Sequence, residues 1–581
     1  MTVSWALPSV PSVPNSGCFV PPRRRPRASM SRTLTIALSQ LNPTVGDIDG
    51  NIGLIGAARD AARGARLVVC GELAVSGYPP EDLVLRSDFQ NLIEDRVREL
   101  AAATADGGPA VLLGSPWRGE GALHNASLLL DGGRIAALGL KHELPNYGVF
   151  DEKRIFTAGP YPEPITFDGA RLGVMICEDM WKPEVTAHLK KAGADILVVL
   201  NGSPFESDKP TIRRDRARAR TAESGLPLVY VNLVGGQDEL VFDGGTFIID
   251  RNGDTLVQAA AWESVTVASN WRAQAGGGWD CEPGTVDEPA AGPEAIYRAL
   301  ITGLGDYVGK NAFAGVLIGL SGGIDSALTA AVAVDTLGAA KVHCVMMPSP
   351  YTSLESLEDA AETARLLGVR LDSISITPAM NAFGEMLNGS FAGHSPDVTE
   401  ENIQSRSRGL TLMALSNKLG FMVLSTGNKS EMSVGYATIY GDMCGGFSVL
   451  KDVYKSTVFA LARWRNLESP KGVLGPAGPV MPERVIAKPP SAELRPGQTD
   501  QDSLPPYDQL DAILKCLIEE DMPLKDAAAR GFDADMVRMV WRLLDRAEYK
   551  RRQAPPGVKI TSRAFGRDRR YPLTNEFSSL K

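Results

Sequence analysis

"GVLIGLSGGIDSALTAAVAVDTL" (315–337) passes from a short apolar run through a serine–glycine turn into a helical stretch. Glycines let backbone approach an anion closely, and a helix N-terminus adds free N–H groups and the positive end of a dipole. The turn therefore describes a phosphate site. It has neither the GxxxxGK[ST] spacing of a Walker loop nor a GxGxxG fingerprint, which sets aside both of those nucleotide enzymes. The helical stretch "EAIYRALITGLGDYV" (294–308) precedes it, and the strand-like runs "VHCVMM" (342–347), "LDSISI" (371–376) and "FMVLST" (421–426) follow. Alternation of this kind predicts a parallel, doubly wound α/β sheet over 294–581.

Upstream the pattern changes. Between Leu34 and Asn270 lie many short β-like runs, among them "LTIAL" (34–38), "RLVVC" (66–70), "RIAALGL" (134–140), "RLGVMIC" (171–177) and "DILVVL" (195–200). Helical stretches separate some of them, and "DGG" (131–133) between two runs predicts a hairpin. Residues 30–270 are thus expected to form sheets covered by helices. The stretch 271–293, containing "QAGGGWDCEPGTVDEPAAGP" (274–293), reads as an interdomain linker. Residues 1–29 carry no acid, many prolines and an arginine cluster, and are expected to be disordered. They read as a start placed too far upstream of Met30, with a transit peptide as the other reading.

Composition narrows the function. At 581 residues the chain is too long for one core. Its 44% hydrophobic and 22% charged residues are ordinary for a soluble protein, and no apolar run is long enough to span a bilayer. A net charge of −9 gives no general attraction to nucleic acid or to anionic membrane. The basic run "RRDRARAR" (213–220) is expected to be a solvated helix face. Seven cysteines without a CxxC pair, and only five histidines, argue against a disulfide framework or a zinc site and suit the cytoplasm.

"LGVMICEDMW" (172–181) places Cys177 at a strand end against two acids. Carboxylates disfavour a thiolate, so a reactive Cys177 needs a base and a cation from elsewhere. Glu72 and Lys141 also end β-like runs, and such ends can converge in space. Taken singly, each has a bland explanation as packing, a loop cap or a surface charge.

The flanking words decide among these explanations. "GELAVSGYPPEDL" (71–83), "KHELPNYGVFDEKR" (141–154) and "ICEDMW" (176–181) resemble, in order, the three signatures of the glutamine-hydrolysing branch of the nitrilase superfamily. The resemblance implies an αββα sandwich with a Glu72–Lys141–Cys177 triad. Glu72 would be the general base, Lys141 the oxyanion's cation and Cys177 the nucleophile. It further implies that Glu152 positions Lys141 or the leaving amine, and that Tyr147, Ser203 and Lys209 hold glutamine.

In the second half, SGGxDS resembles the pyrophosphate loop of the ATP pyrophosphatases, which include GMP, asparagine, argininosuccinate and NAD synthetases and tRNA-thiolating enzymes. "EENIQSRSRGLTLMALSNKLG" (400–420), "LSTGNKSEMSVGYATIYGDMCGGFSVLKDVYK" (424–455), "KPPSAELRPGQTDQDSLPPYDQLD" (488–511) and "YKRRQAPPGVKITSRAFGRDRRYP" (549–572) are similar to the glutamine-dependent NAD⁺ synthetases. That resemblance implies ATP, deamido-NAD⁺ and L-glutamine as substrates, Mg²⁺ as cofactor and a homo-oligomer assembled through the synthetase domains. It assigns ATP to Gly319, Leu320, Ser321, Gly322, Gly323, Ile324, Asp325, Ser326 and Thr426, and deamido-NAD⁺ to Asn402, Glu431, Asp442, Lys455 and Lys550. Asp325 and Glu431 would hold the metal. Cys444, beside Asp442, is expected to be structural. The rival reading makes the front half a non-catalytic regulatory or assembly module of an ammonia-dependent synthetase. A tRNA-thiolating enzyme would call for a basic face and a cysteine near the loop.

Overall fold

The computed structural model describes residues 32–119 and 121–577, so the expectation for 1–29 lies outside the described residues. Two sheets build the first half. Seven strands run in the order Trp279–Cys281, Val265–Ala273, Thr33–Gln40, Leu67–Cys70, Ala110–Gly119, Ala122–Asp131 and Arg134–Leu140. Six more run Thr255–Gln258, Phe247–Ile249, Leu228–Asn232, Ile196–Asn201, Ala170–Ile176 and Ile165–Phe167.

Side chains alternate between strand faces, and here both faces are buried. Ile36 and Leu38 share the inter-sheet core with Val174 and Val198, whereas Ala37 lies in a second core with Ile55 and Val97 of the outer helices Ile48–Ala61 and Ser87–Ala103. Likewise Ile196, Val198 and Leu200 face the other sheet, while Leu197 and Val199 meet Val185 and Ala217 of helices Pro183–Lys191 and Lys209–Ser224. The result is four layers, helix–sheet–sheet–helix. Burial on both faces is why these strands are almost continuously apolar. At the "DGG" turn Asp131 pairs with Arg134, and Gly132 and Gly133 take φ of +58° and +84°, as a two-residue hairpin turn demands.

The 271–293 stretch departs from the linker expectation at its start. The strand Val265–Ala273 runs through residue 270 alongside Thr33–Gln40, and Trp279–Cys281 pairs back onto it. Trp271 and Trp279 are buried between the sheets, and such a large apolar area outweighs the loop-like composition around them. The glycines serve the hairpin itself, Gly277 and Gly278 having φ of +94° and +82°.

The second half is a five-stranded, wholly parallel sheet in the order Arg370–Ser373, Val342–Met346, Val316–Gly319, Met422–Ser425 and Phe447–Ser448. From Val316–Gly319 the chain first builds to one side, then returns to the other with Met422–Ser425. Open parallel sheets bind ligands at that reversal, outside the strand carboxyl ends.

The two halves are fastened together. The hairpin Val234–Gln237/Leu240–Asp243 lies on helix Gly292–Lys310, and Phe205 and Val241 belong to the same core as Leu300, Leu304 and Val558. Gly236 and Gly303 make the close approach possible, since a Cβ on Gly236 would stand 3.1 Å from the Gly303 Cα. Around it Lys310 Nζ donates to Asn42 Oδ1 at 2.8 Å and to the Gly236 carbonyl at 2.7 Å, and Asp306 Oδ2 accepts from Asn42 Nδ2 at 2.8 Å. The C-terminal segment adds Lys559, whose ammonium is 2.9 Å from Glu206 Oε1.

Candidate active sites and family

Strand Ala170–Ile176 delivers Cys177 into a tight turn, where the cysteine takes a φ of +46°, a costly value for a non-glycine residue. Asp179 braces the turn. Its carboxylate accepts from Ile176 N at 2.9 Å and from His142 N and Glu143 N at 3.1 and 2.8 Å, tying the cysteine to the residues that follow Lys141. Glu72 stands just beyond strand Leu67–Cys70. Its Oε2 accepts from Gly202 N at 2.9 Å, and its Oε1 accepts from Asn125 Nδ2 at 2.8 Å and from Lys141 Nζ at 2.6 Å. Lys141 Nζ also donates to Glu152 Oε1 at 2.9 Å, and the Tyr78 hydroxyl donates to the same oxygen at 3.2 Å.

The Lys141 and Glu72 side chains are wholly buried. Burial works against the Lys141 ammonium, but Glu152 and Glu72 outweigh it and keep the lysine charged. Burial, then Glu72, pushes the Cys177 thiol well above its usual range, with Lys141 pulling the other way. The resting group is therefore a thiol beside a carboxylate and a cation, which suits deprotonation at the moment of attack. Desolvating three charges is a poor route to stability, which favours a chemical reason for the cluster.

Tyr147 is half exposed, its hydroxyl donating to Glu178 Oε2 at 2.8 Å. Ser203 is buried, and Lys209 Nζ sits 5.4 Å from the centre of the Trp181 ring and 3.6 Å from Glu206. Tyr78, Glu178 and Asp179, which lie within the signature words, also belong to this neighbourhood, as do Asn125 and Arg213, which lie outside them.

Arg213 corrects the expectation for the basic run. On helix Lys209–Ser224, Arg213 and Arg220 point inward with Ala217 and Ser224, while Asp215, Arg216 and Arg218 are exposed. Arg213 Nη1 donates to Asp243 Oδ1 at 2.6 Å, Nε to Ser203 Oγ at 3.1 Å and Nη2 to the Ser203 and Pro204 carbonyls at 2.7 Å each. A lysine cannot make that fork. With Ser203 in the glutamine-holding role that the resemblance implies, Arg213→Lys is expected to raise KM for glutamine about tenfold or more, the scale of one lost charge-assisted hydrogen bond. Ammonium-dependent synthesis should be unchanged in steady-state assays. An unaltered KM for glutamine would show that Arg213 does not position Ser203.

In the second half, strand Val316–Gly319 and helix Ile324–Leu337 flank the serine–glycine turn. Gly322 has a φ of +83°, and a Cβ there would collide with the Ser356 carbonyl. Ser326 Oγ donates to the Gly323 carbonyl at 3.0 Å and accepts from Ser321 N at 3.2 Å, which leaves the turn preformed. A cavity of about 460 Å³ opens from it and takes in Gly319 to Ser326, Thr426, Asn402, Glu431, Asp442, Cys444, Lys455 and Lys550.

The cavity has two ends. At the turn, Lys455 Nζ donates to Asp325 Oδ2 and, at 2.9 Å, to Glu431 Oε1, while Asn428 Nδ2 donates to Asp325 Oδ1 at 2.8 Å. Burial, with Asp325 adding to it, pushes the Glu431 carboxyl up against the pull of Lys455. At the other end Asp442 Oδ1 accepts from Ser405 Oγ at 3.0 Å and Thr438 N at 2.7 Å, Asn402 Oδ1 accepts from Thr438 Oγ1 at 3.1 Å, and Lys550 Nζ donates to the Gly435 and Ala437 carbonyls at 2.7 and 2.6 Å. Within "TGNKSE" the helix cap is Asn428, whose side chain accepts from Glu431 N at 3.0 Å, as a favoured N-cap residue does.

The carbon-nitrogen hydrolase family model matches residues 35–275 and the NAD synthase family model residues 296–554. The glutamine-dependent NAD(+) synthetase of Rhodobacter capsulatus is 48% identical over 557 residues, covering 94% of this chain and 99% of its own length. The chain belongs to the glutamine-dependent NAD⁺ synthetases. The synthetase of that name from Xanthomonas campestris is also 48% identical, over 95% of this chain and 99% of its own. Among solved structures, the Acinetobacter baumannii glutamine-dependent NAD⁺ synthetase in complex with ADP has a TM-score of 0.74 at 43% identity, covering 93% of this chain and 98% of that one. The Cytophaga hutchinsonii synthetase has a TM-score of 0.77 at 22% identity over 94% and 98% of the two chains, which speaks for the fold. For a synthetase of this family, two such chemically distinct centres on one chain are the expected equipment.

Proposed function

We propose that Glu72, Lys141 and Cys177 hydrolyse glutamine and that the cavity beyond Ser321 uses the ammonia to amidate deamido-NAD⁺ at the expense of ATP. In the first centre, Glu72 takes the thiol proton as sulfur attacks the amide carbon. Lys141 stabilises the oxyanion, and collapse passes the proton to the departing ammonia and leaves a glutamyl thioester. Water, deprotonated by Glu72, then attacks the thioester carbon, the C–S bond breaks, and glutamate leaves as Glu72 returns the proton to the Cys177 sulfur. Glu152 holds Lys141 on its other side, while Tyr147, Ser203 and Lys209 hold the substrate. In the second centre the nicotinate carboxylate attacks the α-phosphorus of ATP and pyrophosphate leaves. Ammonia attacks the resulting acyl adenylate, and AMP departs with the carboxyl oxygen.

The Ser321–Ser326 turn and Thr426 serve ATP; Asn402, Asp442 and Lys550, at the far end, serve the dinucleotide, and Glu431 and Lys455, which the resemblance also gave to the dinucleotide, lie instead beside Asp325. Asp325 and Glu431 suit Mg²⁺, since two converging carboxylates at a phosphate turn are the partial ligand set that substrate phosphates complete. Bound there, Mg²⁺ would neutralise charge on the phosphates. The buried Lys141–Glu72–Glu152 cluster beside Cys177 carries this reading, because a non-catalytic front module has no use for it. The test is product analysis with deamido-NAD⁺, ATP and Mg²⁺. NAD⁺, AMP and pyrophosphate should form with either glutamine or ammonium, and their absence with both would refute it.

We further place the enzyme in the cytoplasm, where the free, mostly buried thiols of its described cysteines persist; no described helix is long and apolar enough to cross a membrane. We also infer a homo-oligomer. Helix Thr377–Leu387 buries none of its residues, and Met386 and, on the neighbouring helix Val398–Leu419, Leu410 are 73% and 65% exposed. Light scattering should give at least twice the 62.1 kDa of one chain.

A further inference from the structure

The turn end of the ATP cavity holds a positive charge of its own. Lys455 opens helix Lys455–Leu467, its backbone N donating to Ser430 Oγ at 2.8 Å, so the start of its side chain is fixed. The side chain is only 2% exposed, yet it reaches the cavity and places its ammonium between Asp325 and Glu431. Its remaining side faces the Tyr507 ring, whose centre is 5.3 Å from Nζ. One oxygen of each of the two carboxylates that would ligate a divalent cation, Asp325 Oδ2 and Glu431 Oε1, is thus held by the ammonium, and Asp325 Oδ1 is held by Asn428.

An ammonium and a metal ion cannot share that position. Lysine is a compact charge on a flexible four-carbon stem, and three rotatable donors let it move from one anion to another nearby. ATP brings such anions to the turn immediately adjacent. Mg²⁺ sheds its waters reluctantly and is usually held by one or two carboxylates together with phosphates, so it gains little from a carboxylate pair already neutralised. We propose that Lys455 is an exchangeable counter-ion: in the free enzyme it holds Asp325 and Glu431 together and keeps divalent cations out, and it moves to the phosphates when nucleotide and cation bind together. The site then loads metal only with nucleotide, and by linkage each raises the other's affinity by the same factor. The inference rests on Asp325 and Glu431 being the metal ligands.

Mn²⁺ is the probe, its binding to the full-length protein read from loss of the free-ion EPR signal. Without nucleotide the parent protein should bind Mn²⁺ weakly. With α,β-methylene ATP it should bind at least about tenfold more tightly than either the free protein or the nucleotide alone. Lys455→Met should bind Mn²⁺ without nucleotide at least about tenfold more tightly than the parent, because two carboxylates are left uncompensated. Lys455→Arg, which keeps the charge, should stay near the parent. Thermal melting of the parent covers the case of a poorly folded variant. Mn²⁺ alone should leave its Tm unchanged, and Mn²⁺ with the analogue should raise it. A free-protein affinity no higher in Lys455→Met than in the parent, or a parent Tm raised as far by Mn²⁺ alone, would overturn the exchange. Asp325→Asn separates the two levels: a nucleotide-dependent Mn²⁺ site that survives it refutes the ligand assignment itself.

Discussion

Cys177→Ala should bring glutamine-dependent NAD⁺ formation below about a thousandth of the parent rate, while ammonium-dependent formation stays within about twofold. The thiol is the only atom group the substitution removes, and without it no thioester can form. The neighbours tolerate the change. Lys141 remains paired with Glu72 and Glu152, so no buried charge loses its partner, and the site loses a single sulfur, at a cost of about 1 kcal/mol. The synthetase cavity, built on a different sheet, accepts ammonia from any source. The measurement is initial rates of NAD⁺ formation with each nitrogen donor, on protein whose melting curve matches the parent. Equal loss of both activities in folded protein would mean that the two centres are not chemically independent.

Asp325→Asn should do the reverse, lowering synthesis by about a hundredfold or more with glutamine and with ammonium alike, the scale on which a single electrostatic contact to reacting phosphates counts. The amide keeps the carboxylate's shape, and its oxygen can still accept from Asn428 Nδ2. What goes is the negative charge that faces Lys455 and, as proposed, the metal. Glutamine hydrolysis by the first centre should persist at a basal level, measured as glutamate release without deamido-NAD⁺. A variant that makes NAD⁺ at the parent rate would remove Asp325 from the mechanism.

The sequence made the inner strands visible because both of their faces are covered, so almost every position had to be apolar, and it made the "DGG" turn visible because its geometry needs residues free to take positive φ. Glu72, Lys141 and Cys177 each close such a run, but that alone left bland explanations open, and only the words around them, through their resemblance to the nitrilase signatures, picked them out. The seventh strand of the first sheet was hidden, since Trp279–Cys281 is a three-residue edge set among glycines and acids, and only the burial of its tryptophan reveals it. Arg213 was hidden for the opposite reason. A basic helix reads as a wet face until its partner is known, and Asp243 lies thirty residues further on. The pairing of Lys455 with both Asp325 and Glu431 joins three distant segments, and no local pattern records it.

Phe205 and Val241 are residues of the first half that lie in the core of the second. Neighbouring domains in one chain more often meet over a polar surface and keep the freedom to shift. Here a lineage that split the gene would leave both products with a bare apolar face and solubility trouble, whatever the state of their catalytic groups. Fusion in this enzyme is thus harder to undo than a tether: once the halves shared these side chains, selection for two well-behaved proteins became selection for keeping them as one.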